Sequence, residues 1–406
     1  MTEAKKPPVG MTVLVAALGY FVDIYDLILF SIVRVKSLAS IGVAKEQILD
    51  QGVLLINMQM GGMLLGGIVW GILGDKRGRL SVLFGSIFMY SAANIANGFV
   101  QTVPQYAVLR LVAGIGLAGE LGAGITLVSE IMHRESRGYG TTIVATIGIL
   151  GAVVAALVGD FFDWRTAYFV GGGMGLALLL LRVGLYESGM FAGVKASGVK
   201  LGSFSSLFVT KDRIKKYVGV ILVGVPIWYA VGILVTFAPE IGKAMGMTDI
   251  PAPGRAVMMT YIGLAAGDFA SGALSQLLRS RRRVLAGFIA LTAVSVVAYF
   301  TVGKSSLTSF YGVCLLLGFA TGYWAVFVTM ASELFGTNIR ATVTTTAPNF
   351  VRGAVVPLTF SFKLLKDSLG VVGSAIAVGV VTLAVAVVAL MALEETHGKN
   401  LDYVED

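Results

Sequence analysis

Charge is scarce in this chain. Only 13% of its 406 residues are Asp, Glu, Lys or Arg, about half the roughly 25% of an ordinary soluble domain. Hydrophobic residues make up 56% and the mean hydropathy is +0.84. That balance excludes a soluble globular protein and points to an integral membrane protein with membrane lipid around it. Cysteine is nearly absent: Cys314 stands alone, so no disulfide can form within the chain. Histidine is nearly absent too. His133 and His397 both fall outside the long apolar runs, which excludes a histidine metal site in the membrane. No P-loop, nucleophile elbow or histidine-rich motif occurs, so the chain is not read as an enzyme, and no metal or cofactor is expected. The net charge of +8 resides in short loops, which argues against a nucleic-acid partner. Polar groups in the apolar runs are few and cluster at mid-depth, unlike the continuous polar lining of a channel.

What is abundant is apolar sequence in lengths of about 20 residues, enough for a helical crossing. Twelve such runs are expected: 11–34, 51–73, 80–100, 105–130, 138–160, 166–187, 216–240, 256–278, 284–302, 307–334, 341–363 and 370–393. The first follows a short polar start, is too long for a signal-peptide core and lacks a small-residue cleavage site, so it is read as a retained span. The 52 glycines suit helices packed closely in lipid. Gly114, Ala118 and Gly122 recur every fourth residue, as do Gly263, Gly267, Ser271 and Ser275. With the N-terminus inside, inner segments hold nineteen Lys and Arg against nine in outer ones, so both termini are expected in the cytoplasm.

The chain divides at residues 188–215, the longest inner segment. The expectation is an N-terminal six-helix bundle over 1–187, a cytoplasmic linker over 188–215 and a C-terminal six-helix bundle with a short tail over 216–406. The halves echo each other. Ser129-Glu130 precedes Arg137, and Ser332-Glu333 precedes Arg340, at one shared spacing and one shared offset of 203 residues. Basic loops follow the second run of each half, at residues 74–79 and 279–283.

Ionisable groups inside the runs are the functional candidates, because each costs several kcal/mol in lipid, at roughly +2.5 to +3.5 even on lenient scales, unless it faces a partner or pathway. Asp23 and Asp26 lie three residues apart near the middle of the first run, on one helix face. Glu120 and Arg110 share the fourth run. Three acids against one base imply that one acid holds a proton, so Asp23, Asp26 and Glu120 are the expected proton carriers. Arg110 is read as structural or coupling. In the second half Asp268 and Arg352 fall near mid-run, where they could neutralise each other; Tyr261 shares a face with Asp268, and Asn349 precedes Arg352 by three residues. A guanidinium fork matches carboxylate or phosphate in bidentate fashion, which makes Arg352 the expected anion contact. Trp228, Tyr229, Tyr323 and Trp324 are packing residues or site lining. Asn94 and Asn97 are read as polar packing.

Several of these segments resemble the major facilitator superfamily over essentially the whole chain. Residues 71–79 (G-I-L-G-D-K-R-G-R) are similar to its loop between spans two and three, Arg110 with Gly114 and Gly116 to its fourth-span motif, and Trp164-Arg165 to an element before span six. The tail E-E-T-H-G-K-N-L and Glu187-Ser188-Gly189-Met190-Phe191 resemble the sugar porters. Residues 119–122 resemble the metabolite:proton symporters, the first-span D-x-Y-D the phosphate:proton group, and Asn349-Phe350-Val351-Arg352 with Pro357 the organic anion transporters. The resemblance implies two pseudo-symmetric six-helix bundles and a site near the bilayer centre between spans 1, 4, 7, 8, 10 and 11. It implies a transporter, read as a monomer, whose partners are a small-molecule substrate and protons; the lean 406 residues and short loops suggest a bacterial inner-membrane protein. The leading expectation is proton-coupled symport of a mono- or dicarboxylate by alternating access. Phosphate, a sugar, a zwitterion, a cation or drug/proton antiport stand as alternatives. Asp75, Arg79, Glu130, Arg137, Glu333 and Arg340 are the expected gate, as ion pairs at inner helix ends that latch one state.

Overall fold

The computed structural model describes residues 9–77, 79–119, 137–187 and 204–399, and every described element is helical. The first segment holds α1 (Val9–Ser40), α2 (Ile48–Arg77), α3 (Arg79–Asn97), α4 (Val103–Leu117), α5 (Arg137–Phe161) and α6 (Trp164–Glu187). The second holds α7 (Lys211–Tyr229), which runs on through a π-helical turn at Ala230–Val235, a short α8 (Ala238–Ala244), α9 (Pro253–Leu277) and α10 (Arg281–Thr301). It ends with α11 (Leu307–Thr321), α12 (Trp324–Glu333), α13 (Thr337–Gly353) and α14 (Val355–Ala392). Among the described residues, eight helical segments are long and apolar enough to cross a membrane, while Val103–Leu117 and Ile147–Phe161 are shorter apolar helices. The later part of the expected run 105–130 lies outside the described residues.

Helix starts follow local chemistry. The side chains of Thr102, Thr210, Ser280 and Ser306 each accept a hydrogen bond from the backbone N–H three residues on, which satisfies a first-turn donor. Two interruptions fall on glycine. Gly322 ends α11 where a side chain would strike the backbone of Gly267 and Asp268. Gly370 sits inside α14 at a φ of 69°, a left-handed conformation that glycine adopts without steric cost. Where a loop was expected between runs 341–363 and 370–393, the chain stays helical and kinks at this residue.

Small residues bring backbones together in the same way in both segments. Gly62 and Gly66 lie against the Leu111 and Ile115 carbonyls, and Gly114 against that of Gln59, which locks α2 to α4. Gly263, Gly267 and Gly318 lie against the Leu315, Phe319 and Thr260 carbonyls, locking α9 to α11. A second pair of pins repeats as well. The Tyr25 hydroxyl donates to the Ala167 carbonyl at 2.9 Å, tying α1 to α6, and the Tyr229 hydroxyl donates to Ala375 at 2.8 Å, tying α7 to α14.

The two segments meet along a seam that carries several polar contacts within a shared apolar core. At the end of the bundle carrying Arg34, that guanidinium reaches Glu240 at 2.7 Å and the Thr236 carbonyl at 3.1 Å, and stacks 4.6 Å from the Phe237 ring. Ser31 and Thr236 share a hydrogen bond at 3.0 Å, and Lys366 pairs with Asp50 at 2.9 Å. Deeper along the seam Thr359 donates to Asn57 at 2.6 Å, Leu64 packs on Gly353, and Asn349 donates to the Ala118 carbonyl at 3.3 Å.

Candidate functional site

The first-run aspartates are both fully buried, and they look in different directions. Asp26 turns into its own segment. It lies within electrostatic reach of Asp23 and Arg110, with the Asn94 amide beside it, and Gly171 of α6 packs directly on its carboxyl. Any larger residue at 171 would push into that carboxylate. Asp23 instead faces the seam, where its Oδ2 stands 3.7 Å from Nη1 of Arg352. A pair whose exposures are 0% and 1% lies in low dielectric, where mutual attraction must offset a large desolvation cost.

Arg352 is the centre of the arrangement. Its guanidinium lies 6.0 Å from the Trp228 ring and 5.9 Å from that of Trp324, within reach of a cation–π attraction. Among the described residues its Nε and Nη1 make no hydrogen bond of ordinary length. Buried donors of that kind are rare in native structures and call for an explanation. Tyr20 and Tyr261 both lie within electrostatic reach of the same guanidinium.

The other sequence candidates separate. Arg110 is fully buried and donates to the Gln59 side chain, while Gln59 donates to the Leu27 carbonyl at 3.3 Å. Its guanidinium also lies 5.0 Å from the Phe30 ring. Arg110 is thus held inside the first segment, and Asp23 takes the cross-seam cation. Asp268 does not neutralise Arg352 in this arrangement: its Oδ1 accepts from the Ala325 N–H at 2.9 Å. The Gly322 break leaves α12 with an exposed N-terminus, and a carboxylate is favoured there by the helix dipole. Tyr229 is committed to Ala375 and packed on Gly379, within its own segment.

Two of the expected gate residues lie among the described side chains. Glu333 pairs with Arg281 at 3.1 Å and accepts from the Thr396 hydroxyl at 2.7 Å, both within its own segment. Arg340 donates to the Ser332 and Phe335 carbonyls at 2.9 and 3.2 Å. The tail after α14 closes this cluster. Glu395 accepts from the Ser280 hydroxyl and from the backbone N–H groups of Arg281 and His397, at 2.9 and 3.0 Å. Burial alone would raise the Glu395 carboxyl; these donors outweigh it and hold the group down at about 2. Glu120 and Glu130 lie outside the described residues. Asp75 ends in α2, Arg79 opens α3 and Arg137 opens α5.

Sequence reading missed Arg34, Gln59 and Tyr20. Arg34 is one of the nine cations counted in outer segments, yet it is fully buried. Its position inside a helix rather than a loop, opposite Glu240 at the end of the seventh run, was the available signal.

A multi-pass helical bundle whose opposite charges meet, buried, between two internally pinned segments is the architecture of a membrane transporter, in which solute passes through the middle. The chain belongs to the Major Facilitator Superfamily, whose family profile matches residues 16–356. It is 30% identical over 381 residues to the 3-(3-hydroxy-phenyl)propionate transporter of Escherichia coli, covering 88% of this chain and 89% of that one. It is 26% identical over 401 residues to a probable 4-methylmuconolactone transporter of Cupriavidus pinatubonensis, covering 95% and 90%. A putative niacin/nicotinamide transporter of Bacillus subtilis is 26% identical over 399 residues, covering 96% and 98%. The chain is accordingly a transporter of small molecules rather than an enzyme.

Proposed function

We propose that this protein is a proton-coupled symporter of a small organic anion, with an aromatic or cyclic monocarboxylate as its favoured form. The observation that carries the reading is the buried Arg352, with Nε and Nη1 lacking bonds among the described residues and two indole rings about it. A substrate carboxylate would take these donors by charge-assisted hydrogen bonds, displacing Asp23 from Nη1. Its ring would lie against Trp228 or Trp324. The names of the relatives, an arylpropionate and a niacin transporter among them, support the same chemistry.

Coupling follows from the ion pair. When substrate takes Arg352, Asp23 loses its cation, and a buried carboxylate without a cation binds a proton in preference to standing charged. The substrate and the proton then enter together. Asp26, set behind Asp23 and near Arg110, adds a second acid to the same relay. The seam closed by Arg34–Glu240 and Lys366–Asp50 is read as the outer gate, and the Glu333 cluster as the inner one. The chain is read as residing in the inner membrane with both termini in the cytoplasm.

The test uses the full chain in proteoliposomes. Uptake of nicotinate and 3-(3-hydroxyphenyl)propionate should be driven to accumulation by an inside-alkaline gradient and collapse with an uncoupler. Arg352→Ala should abolish binding, whereas Asp23→Asn should keep exchange and lose accumulation. Intact uptake in Arg352→Ala, or counterflow of phosphate, a sugar or glycine betaine in place of the acids, would overturn the reading.

A further inference from the structure

Away from the seam, the end of the bundle that carries Glu333 holds a groove between α10 and the last turns of α14. It has a volume of about 520 Å³ and is lined by Arg279, Ser280, Arg282, Arg283, Ala286, Leu390, Met391 and Glu395. The lining is of two kinds. Arg279, Arg282 and Arg283 stand around the rim. Ala286, Leu390 and Met391 make the floor. The neighbouring cation, Arg281, points away and is committed to Glu333 and Ser275.

The groove's carboxylate does not balance these charges. Glu395 is occupied by the Ser280 hydroxyl and the N–H groups of Arg281, Arg282 and His397. Arg282 spans the groove to the Met391 carbonyl at 3.2 Å. Arg279 and Arg283 are exposed, and among the described residues no ion pair involves either. Arg279 also adopts a φ of 49°, uncommon for a residue with a side chain, and it carries its guanidinium out at the helix turn. Below the rim, the same two helices expose an apolar strip: Val294 and Val297 on α10, Val387 and Met391 on α14, at 60%, 61%, 45% and 71%. Cationic rim and apolar strip thus share one face of a membrane protein, at the start of a helix long and apolar enough to cross a bilayer.

We propose that this groove binds one anionic phospholipid. Its headgroup phosphate lies between Arg279 and Arg283, whose planar forks match phosphate oxygens. Its acyl chains run along the strip below. Basic pockets between membrane helices hold anionic headgroups by this combination of charge and apolar contact. The lipid would tie α10 to α14 beside the Glu395 bonds.

Native mass spectrometry of the detergent-purified chain tests this. Dioleoyl phosphatidylglycerol should form adducts that survive activation energies at which dioleoyl phosphatidylcholine is stripped. R279Q/R283Q should weaken phosphatidylglycerol binding roughly 25-fold, each arginine counting for about fivefold, while Lys243→Gln with Arg255→Gln at the other end should leave it unchanged. Ala286→Trp keeps every arginine and fills the floor; it should cause a comparable loss and serves if the double variant does not purify. Competition by 10 mM inorganic phosphate, with no preference for the lipid, would assign the rim to a free anion and overturn the proposal. Equal retention of the two lipids, or wild-type affinity in both the double variant and Ala286→Trp, would overturn it as well.

Discussion

Glu240→Gln removes the carboxylate that Arg34 reaches across the seam at 2.7 Å, with the two side chains 0% and 19% exposed. Arg34 keeps its carbonyl acceptors, Thr236 and Ile48 at 3.1 and 3.4 Å, and its place over Phe237. What is lost is one charge-assisted bond, of about 1.5–3 kcal/mol. The full cost of an orphaned buried charge is not reached, because those carbonyls remain. If the two segments separate at this end when the transporter opens, the bond exists only in the closed form. Its loss then passes undiluted into the opening equilibrium, a shift of roughly 10- to 100-fold. The sole native cysteine, Cys314, is buried, so a probe is easily placed. Ser31→Cys, in a Cys314→Ser background, puts a thiol beside Thr236 inside the seam. Its labelling rate by an impermeant maleimide reports the open population when opening is fast. The rate should rise roughly 10- to 100-fold in Glu240→Gln and return near the starting value in Glu240→Asp. An unchanged rate in Glu240→Gln would refute the view that this contact holds the seam shut.

Two further outcomes follow from the packing. Gly171→Ala should lower the thermal midpoint, since its methyl would press on Asp26 and sit 2.9 Å from Tyr25, an overpacking cost of about 1–3 kcal/mol; Gly173→Ala, where nothing lies within 4 Å, should leave it unchanged in the same fluorescence scan. For Glu395 the folded carboxyl is held down at about 2 from an ordinary 4.5, so the tail's hold on α10 is complete above pH 4.5 and is lost as pH falls towards 2. Tail proteolysis should therefore be constant from pH 5 to 8, and Glu395→Gln should raise it across that whole range.

Much of the architecture was legible because membrane helices announce themselves by length and apolarity. Glycine spacing announced the backbone contacts of α9, since small residues every fourth position can only serve close approach. The buried charges were legible for the same energetic reason: Asp23, Asp26, Arg110, Asp268 and Arg352 have no place in lipid without a partner. Which partner each one takes was not legible. Asp23 and Asp26 are three residues apart and look equivalent, yet helix rotation sends one to Arg352 and the other towards Arg110 and Gly171. Asp268 found the start of α12 only because Gly322 breaks a run that reads as continuous. Glu333 and Arg340 share a motif with Glu130 and Arg137, but the tail and Arg281, remote in sequence, claim the glutamate.

The glycine contacts of α2 with α4 and of α9 with α11 carry a mechanical consequence. Where carbonyl meets Cα with no side chain between, nothing soft remains to absorb a displacement. Each pair is therefore stiff along this contact. A push of a fraction of an ångström at Asp23 and Arg352, at mid-depth, has nowhere to dissipate. If the two segments rock about the seam, it would reach the far ends of these pairs enlarged by leverage, as rotation.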